Sequence, residues 1–124
     1  MATIRVIHDI DDLANDCLAV ARGARKDMAR TVRMNAQQGN KNAKDFARES
    51  AGAHGKHYHK AFTAEAITPL LWEYGPDAGM PQGGMSFEYG SRNQPPHLDL
   101  AKSADLAGPM FARDVSNLPA KWFW

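Results

Sequence analysis

The sequence predicts an α+β fold: a long N-terminal helix, a small antiparallel sheet of about 3–4 strands and an amphipathic C-terminal helix. Three observations carry that expectation. Apolar residues recur at three- and four-residue steps early in the chain and again late in it. Between those stretches, short aromatic segments are separated by glycine- and proline-rich breaks. The 124 residues are enough for one hydrophobic core and too few for two, so 1–124 is read as a single domain.

Residues 2–8 (ATIRVIH) read as a short strand in which Ile4 and Val6 alternate with Arg5 and Ile7. Asp9 supplies a helix N-cap, and Asp11 and Asp12 place negative charge where the helix dipole favours it. From there Ile10, Ala14, Leu18, Ala21, Met28 and Val32 keep the helical period, which predicts a helix over 10–37. Gln37-Gln38-Gly39-Asn40 reads as its stop signal. Two readings stand for 41–51: a further helical turn or two around Ala43, Phe46 and Ala47, or part of a mobile arm over 38–55. AGAHG at 51–55 is a loop.

Residues 56–66 read as a strand with Tyr58, Phe62 and Ala64 on one side, and 70–74 as a second strand set off by Pro69. The 75–84 segment holds four glycines and two prolines, so it is a connecting loop, mobile in this reading. Residues 85–89 return as a strand with Met85, Phe87 and Tyr89 on one face, forming a wide hairpin with 70–74. After a turn at 90–96, Leu100, Ala104, Ala107, Phe111, Val115 and Leu118 mark the closing helix, which Pro109 is expected to kink or divide. Trp122, Phe123 and Trp124 end the chain. They either fold back on the core or make a subunit contact.

Composition narrows the function classes. Apolar residues at 44% and charged residues at 23% exclude wholesale disorder. A mean hydropathy of −0.51, with no apolar run of about 18 residues, excludes a membrane-spanning helix. The opening MATIRVIHDIDD lacks the basic-then-apolar order of a signal peptide, and the single Cys17 fits a reducing compartment. The net charge of +1 hides an asymmetry. Residues 22–48 carry Arg22, Arg25, Lys26, Arg30, Arg33, Lys41, Lys44 and Arg48 against Asp27 and Asp45 alone. Such a stretch is either a solvated helix face or a surface for nucleic acid or an acidic partner.

The chemistry-bearing residues are sparse. His54, His57 and His59 crowd together near Glu65, with His97 and Asp99 further on, and on a strand His57 and His59 would share a face. No CxxC or His-Glu-x-x-His pattern accompanies them, so neither a metal nor any other cofactor is expected. No serine, nor Cys17, sits in a recognisable nucleophile context, and the glycine pairs lack the order of a phosphate cradle. A non-enzymatic protein with no catalytic residues is the expectation.

One segment is specific. Phe87-Glu88-Tyr89-Gly90-Ser91-Arg92-Asn93-Gln94-Pro95-Pro96-His97-Leu98 resembles the Glu-Phe/Tyr-Gly-Ser/Thr, polar loop and Pro-x-aliphatic signature of neck and tail-completion proteins of long-tailed phages, the minor tail protein Z kind. The similarity is specific over about 70–111, where the chain looks like actinobacterial siphophage versions, and topological elsewhere. Where that family has Pro-Phe-Leu-x-Pro-Ala, this chain has Pro96-His97-Leu98-Asp99-Leu100-Ala101, without the second proline. In the motif Gly90 is free to take a positive φ, Pro95 and Pro96 stiffen the loop, and Asp99 is placed to bond the first N–H groups of the closing helix.

The resemblance implies a virion structural protein, made in the host cytoplasm. Its copies form a ring, hexameric in this expectation, at the head–tail junction between connector and tail tube. Implied partners are other copies, the connector or head-completion protein, and tail-tube or tail-terminator proteins, with no membrane. The expected subunit contacts are the 75–84 loop, the basic 22–48 region, Gly90, Pro95, Pro96, Trp122, Phe123 and Trp124. Arg30, Arg33, Lys41 and Lys44 would line a DNA channel through transient, sequence-independent contact with phosphates. The alternative is a small nucleic-acid-binding or regulatory module using the basic 22–48 helix.

Overall fold

The computed structural model describes residues 3, 9–52, 55–77, 84–92 and 95–123. The expected strand at 2–8 (all but Thr3), His54, most of the 75–84 loop and Trp124 lie outside them.

A single helix, α1 (Ile10–Ser50), spans 41 residues, about 60 Å at 1.5 Å per residue. It does not stop at 37. Gly39 is buried against the ring of Tyr74, where a Cβ would lie 2.8 Å from two ring carbons, so this glycine permits close packing instead of ending the helix. Ala43 and Ala47 are fully buried, which places 38–50 in the core as helix. The stop comes at Gly52, whose φ of +64° is the left-handed conformation that follows many helices. Asp9 stands at the N-cap position, but its side chain makes no capping bond; its carbonyl accepts from the Leu13 amide at 2.8 Å.

Among the described residues the sheet has two strands, against the three or four expected. A 3₁₀ turn at Tyr58–Ala61 leads into β1 (Phe62–Thr68), which pairs antiparallel with β2 (Leu71–Pro76) in the register Phe62↔Pro76, Ala64↔Tyr74 and Ala66↔Trp72. Pro69 and Leu70 form the hairpin turn, so the proline joins two paired strands instead of separating them. The expected strand at 56–66 therefore begins only at Phe62. Residues 85–89 are not a strand: α2 (Gly84–Tyr89) is a short helix, with Phe87 half-buried and Tyr89 67% exposed, and no wide hairpin with 70–74 exists.

The closing helix α3 (Asp99–Ser116) runs through Pro109 without a break, and the chain divides instead at Asn117, before α4 (Leu118–Phe123). Asp105 and Pro109 are both exposed, so the carbonyl that proline leaves unbonded faces water. The core is small. Tyr58 stacks on Phe87 at 4.4 Å between centroids and meets Phe62 edge-on at 5.0 Å, over Ala43 and Ala47, with Tyr74 and Leu100 closing the sides.

Candidate functional site

Because α1 is unbroken from 22 to 48, its bases fall into register. At 100° per residue Arg22, Lys26, Arg30, Arg33, Lys41, Lys44 and Arg48 lie within an arc of roughly 100°, along about 39 Å of helix. Arg30, Arg33 and Lys41 are exposed and Lys44 is half-buried. Arg30 lies 3.8 Å from Asp27 and Arg48 3.5 Å from Asp45, both pairs one turn apart; Arg33, Lys41 and Lys44 have no ion-pair partner among the described residues. The stripe continues toward His59. There burial first, then the charges of Arg48, Lys60, His57 and Lys44, hold the imidazole below its ordinary pKa.

Beside the N-terminal part of this stripe the hairpin tip forms a groove of about 600 Å³. Lys26, Arg30 and Arg33 stand on its helical wall with Ala29, and Ile67 and Trp72 on the opposite wall. A second groove, about 280 Å³ and almost wholly apolar, lies between α1, β2 and α3 and includes Val32, Ala36, Ala107 and Phe111. A third, of about 440 Å³, is acidic, with Glu65 directly opposite Glu73 across the hairpin and Asp77 beside them.

The motif at 87–98 builds a polar clasp. Gly90 adopts φ +83°, as its role in a sharp turn requires. Backbone bonds from His97 to the Phe87 carbonyl (2.8 Å) and from Leu98 to the Glu88 carbonyl (3.2 Å) tie the loop to α2, and Leu98 is forced into the left-handed region at φ +57°. Asp99 does not cap α3. Two N–H groups of its first turn, on Leu100 and Ala101, donate at 2.9 and 3.1 Å to the carboxylate of Glu88, which is 3% exposed. Asp99, fully buried, instead accepts the hydroxyl of Ser50 at 2.8 Å. These two carboxylates, after burial itself, push the Tyr58 hydroxyl pKa upward.

Ser50, His97 and Asp99 are therefore in contact, a cluster the sequence does not reveal because Ser50 is 47 and 49 residues away. Its hydrogen bonds run the wrong way for a nucleophile. The single hydroxyl proton of Ser50 goes to Asp99, so His97 Nδ1, 3.1 Å from Oγ, is left to donate. The cluster locks the end of α1 to the start of α3. The histidines do not share a strand face: His57 and His59 lie at the 3₁₀ turn, and no group of three metal-ligating side chains occurs among the described residues.

The C-terminal aromatics divide. Trp122 is half-buried and donates its indole N–H to Asp27 on α1 at 2.9 Å, and this bond, with Lys121 and Arg30, holds the Asp27 carboxyl below the usual range. Phe123 is 66% exposed, Pro95 and Pro96 are exposed, and Gly90 is half-buried. Among the described residues no helix is long and apolar enough to cross a membrane. No family model matches the chain, and no curated protein or solved structure shows significant similarity to it.

Proposed function

We propose that this chain is a structural protein of a long-tailed phage virion, whose copies form a ring at the head–tail junction between connector and tail tube, with DNA passing through. Two things support the reading: the motif at 87–98, and the distribution of large apolar side chains. The second carries it. Among the described residues Tyr58, Phe62 and Leu118 are the only large apolar side chains that are buried, whereas twelve are exposed, including Ile67, Leu70 and Leu71 together at the hairpin tip. Singly exposed apolar side chains are ordinary, but three together at one hairpin tip, beside so small a buried core, support a surface that neighbours cover. The work proposed is contact, with no bond made or broken. Copies, a connector or head-completion protein, and tail-tube or tail-terminator proteins are the proposed partners, and Lys41 and Lys44 are offered to the phosphates of passing DNA. Electron microscopy of the particle tests it: density for this chain is expected as a ring at the portal vertex, and its location elsewhere overturns the reading.

The continuous basic stripe favours one second reading, a module that binds nucleic acid as a monomer. If its seven bases all engage phosphates, log K for duplex DNA should fall with log salt at a slope of about −6. The ring reading expects weak binding or none by the isolated chain.

A further inference from the structure

We propose that the projecting acidic end of α1 docks in the basic groove of a neighbouring copy, so that the chain assembles head to tail. This rests on the ring reading and names the surfaces that build the ring.

Residues 10–19 are all exposed, nearly three turns of helix beyond the packed part of the chain. Ile10, Leu13, Ala14 and Cys17 share one side of it at helical spacing, and Ile10 and Leu13 are 62% and 63% exposed. Asp9, Asp11, Asp12 and Asp16 accompany them, with no base between 9 and 21. The groove beside the hairpin tip is the complement: Ile67 and Trp72 offer apolar surface, and Lys26, Arg30 and Arg33 offer charge. Lys26 and Arg33 have no ion-pair partner among the described residues, and Arg30 shares Asp27 with Lys121, so the wall keeps an excess of positive charge. A chain cannot fill its own groove. Leu13 and Arg30 belong to the same unbroken helix, about 25 Å apart along its axis, and a helix does not fold back on itself. Only a second copy brings the two surfaces together. Because they differ, each docking leaves one end and one groove open, and the series stops when rotation closes a ring.

Cys17, the sole cysteine, is exposed on the apolar side of the projecting end and serves as the reporter. In the full chain Ile67→Cys, mildly oxidised, is expected to give covalent ladders beyond dimers, and Cys17→Ser/Ile67→Cys no more than dimers. By sedimentation, Asp12→Lys/Asp16→Lys and Lys26→Glu/Arg30→Glu/Arg33→Glu should each weaken self-association about tenfold or more, and mixing the two should restore it. Glu65→Lys/Glu73→Lys, altering the other acidic surface, should change nothing. Oligomers that are indifferent to the charge reversals, and in which Cys17 forms no disulfide with the thiol introduced by Ile67→Cys, overturn the docking and leave the ring reading standing. A chain that is monomeric at every concentration overturns both. Salt-sensitive binding of duplex DNA that the Lys26, Arg30 and Arg33 reversals abolish, in place of self-association, gives the groove to phosphate and overturns the docking as well.

Discussion

Gly39→Ala and Gly23→Ala make the same chemical change in the same helix and are expected to act with opposite sign. In an exposed helix interior, glycine to alanine gains about 0.8–1 kcal/mol from backbone entropy. At Gly23 nothing lies within 4 Å of the added Cβ, so most of that gain is kept. At Gly39 the Cβ would sit 2.8 Å from two ring carbons of Tyr74 and 2.9 Å from its hydroxyl oxygen, and the ring must retreat by about 0.7 Å to reach van der Waals distance. It has little room to do so. Tyr74 packs on the core, its hydroxyl is 3.2 Å from Ser103 Oγ, and Ser103 in turn donates to the Gly39 carbonyl at 2.6 Å. Overpacking costs about 1–3 kcal/mol and loss of the Tyr74–Ser103 bond about 1 more, which outweighs the helical gain by about 1–3 kcal/mol. For a chain of 124 residues 1 kcal/mol corresponds to about 4 °C in Tm. Thermal unfolding followed by circular dichroism should show Gly39→Ala lower by about 4–12 °C and Gly23→Ala higher by about 2–4 °C. Equal upward shifts in both variants would refute the close packing of α1 against β2.

Glu88→Gln keeps one acceptor for α3 but turns an amide NH₂ toward the other backbone N–H. It is expected to cost about 1–3 kcal/mol in urea titrations, with Glu88→Asp also weakened because its shorter side chain cannot reach both donors. Ser50→Ala removes the hydroxyl that satisfies fully buried Asp99 and should cost a similar amount, whereas Ser50→Thr, which retains the donor, should recover most of it. The depressed Asp27 carboxyl contributes stability that is present above the unfolded value of about 3.9 and is lost as pH falls through the folded one. Docking of α4 on α1 should therefore loosen only below about pH 4. Emission from Trp122 in a Trp72→Phe/Trp124→Phe background reads the change, and Asp27→Asn should remove its pH dependence.

The periodic elements were legible in the sequence, and the misreadings have a common cause. Helical spacing located the start of α1 and nearly all of α3, and an aromatic run located β2, although Gly75 and Pro76, expected to open the loop, pair with Thr63 and Phe62 as its last residues. Gly39-Asn40 read as a stop because local propensity knows nothing of Tyr74, 35 residues on, whose ring occupies the space a side chain would need. Residues 85–89 alternate like a strand, yet Phe87 is wanted on Tyr58 and Glu88 on the first turn of α3, and a helical turn supplies both. Asp99 was the obvious cap by position. Its burial beside Ser50 depends on where α1 ends, which no local signal encodes. The basic stripe was visible as composition but not as a line, since helix over 38–50 is what brings Lys41, Lys44 and Arg48 into register with Arg30 and Arg33.

Two halves of α1 follow different rules. From 35 to 47 its inward positions are small (Ala36, Gly39, Asn40, Ala43, Ala47), so α3 and the hairpin approach closely and fix the helix from one side. From 10 to 19 the chain carries Ile10, Leu13 and Leu18, all exposed, with none of the described residues covering them. A free peptide of that length would be mostly unfolded in water, because helix nucleation is unfavourable and three turns do not compensate for it. Here nucleation is already supplied by the packed half, and extending an existing helix adds a hydrogen bond for each residue ordered. The projecting end is thus helical before any partner arrives, and a partner that covers it meets little of the ordering entropy that weakens the binding of flexible segments. Gly23 sits between the halves with open space around it, so alanine there should stiffen the projection and strengthen self-association, while proline at the same position should uncouple the end from the body and weaken it.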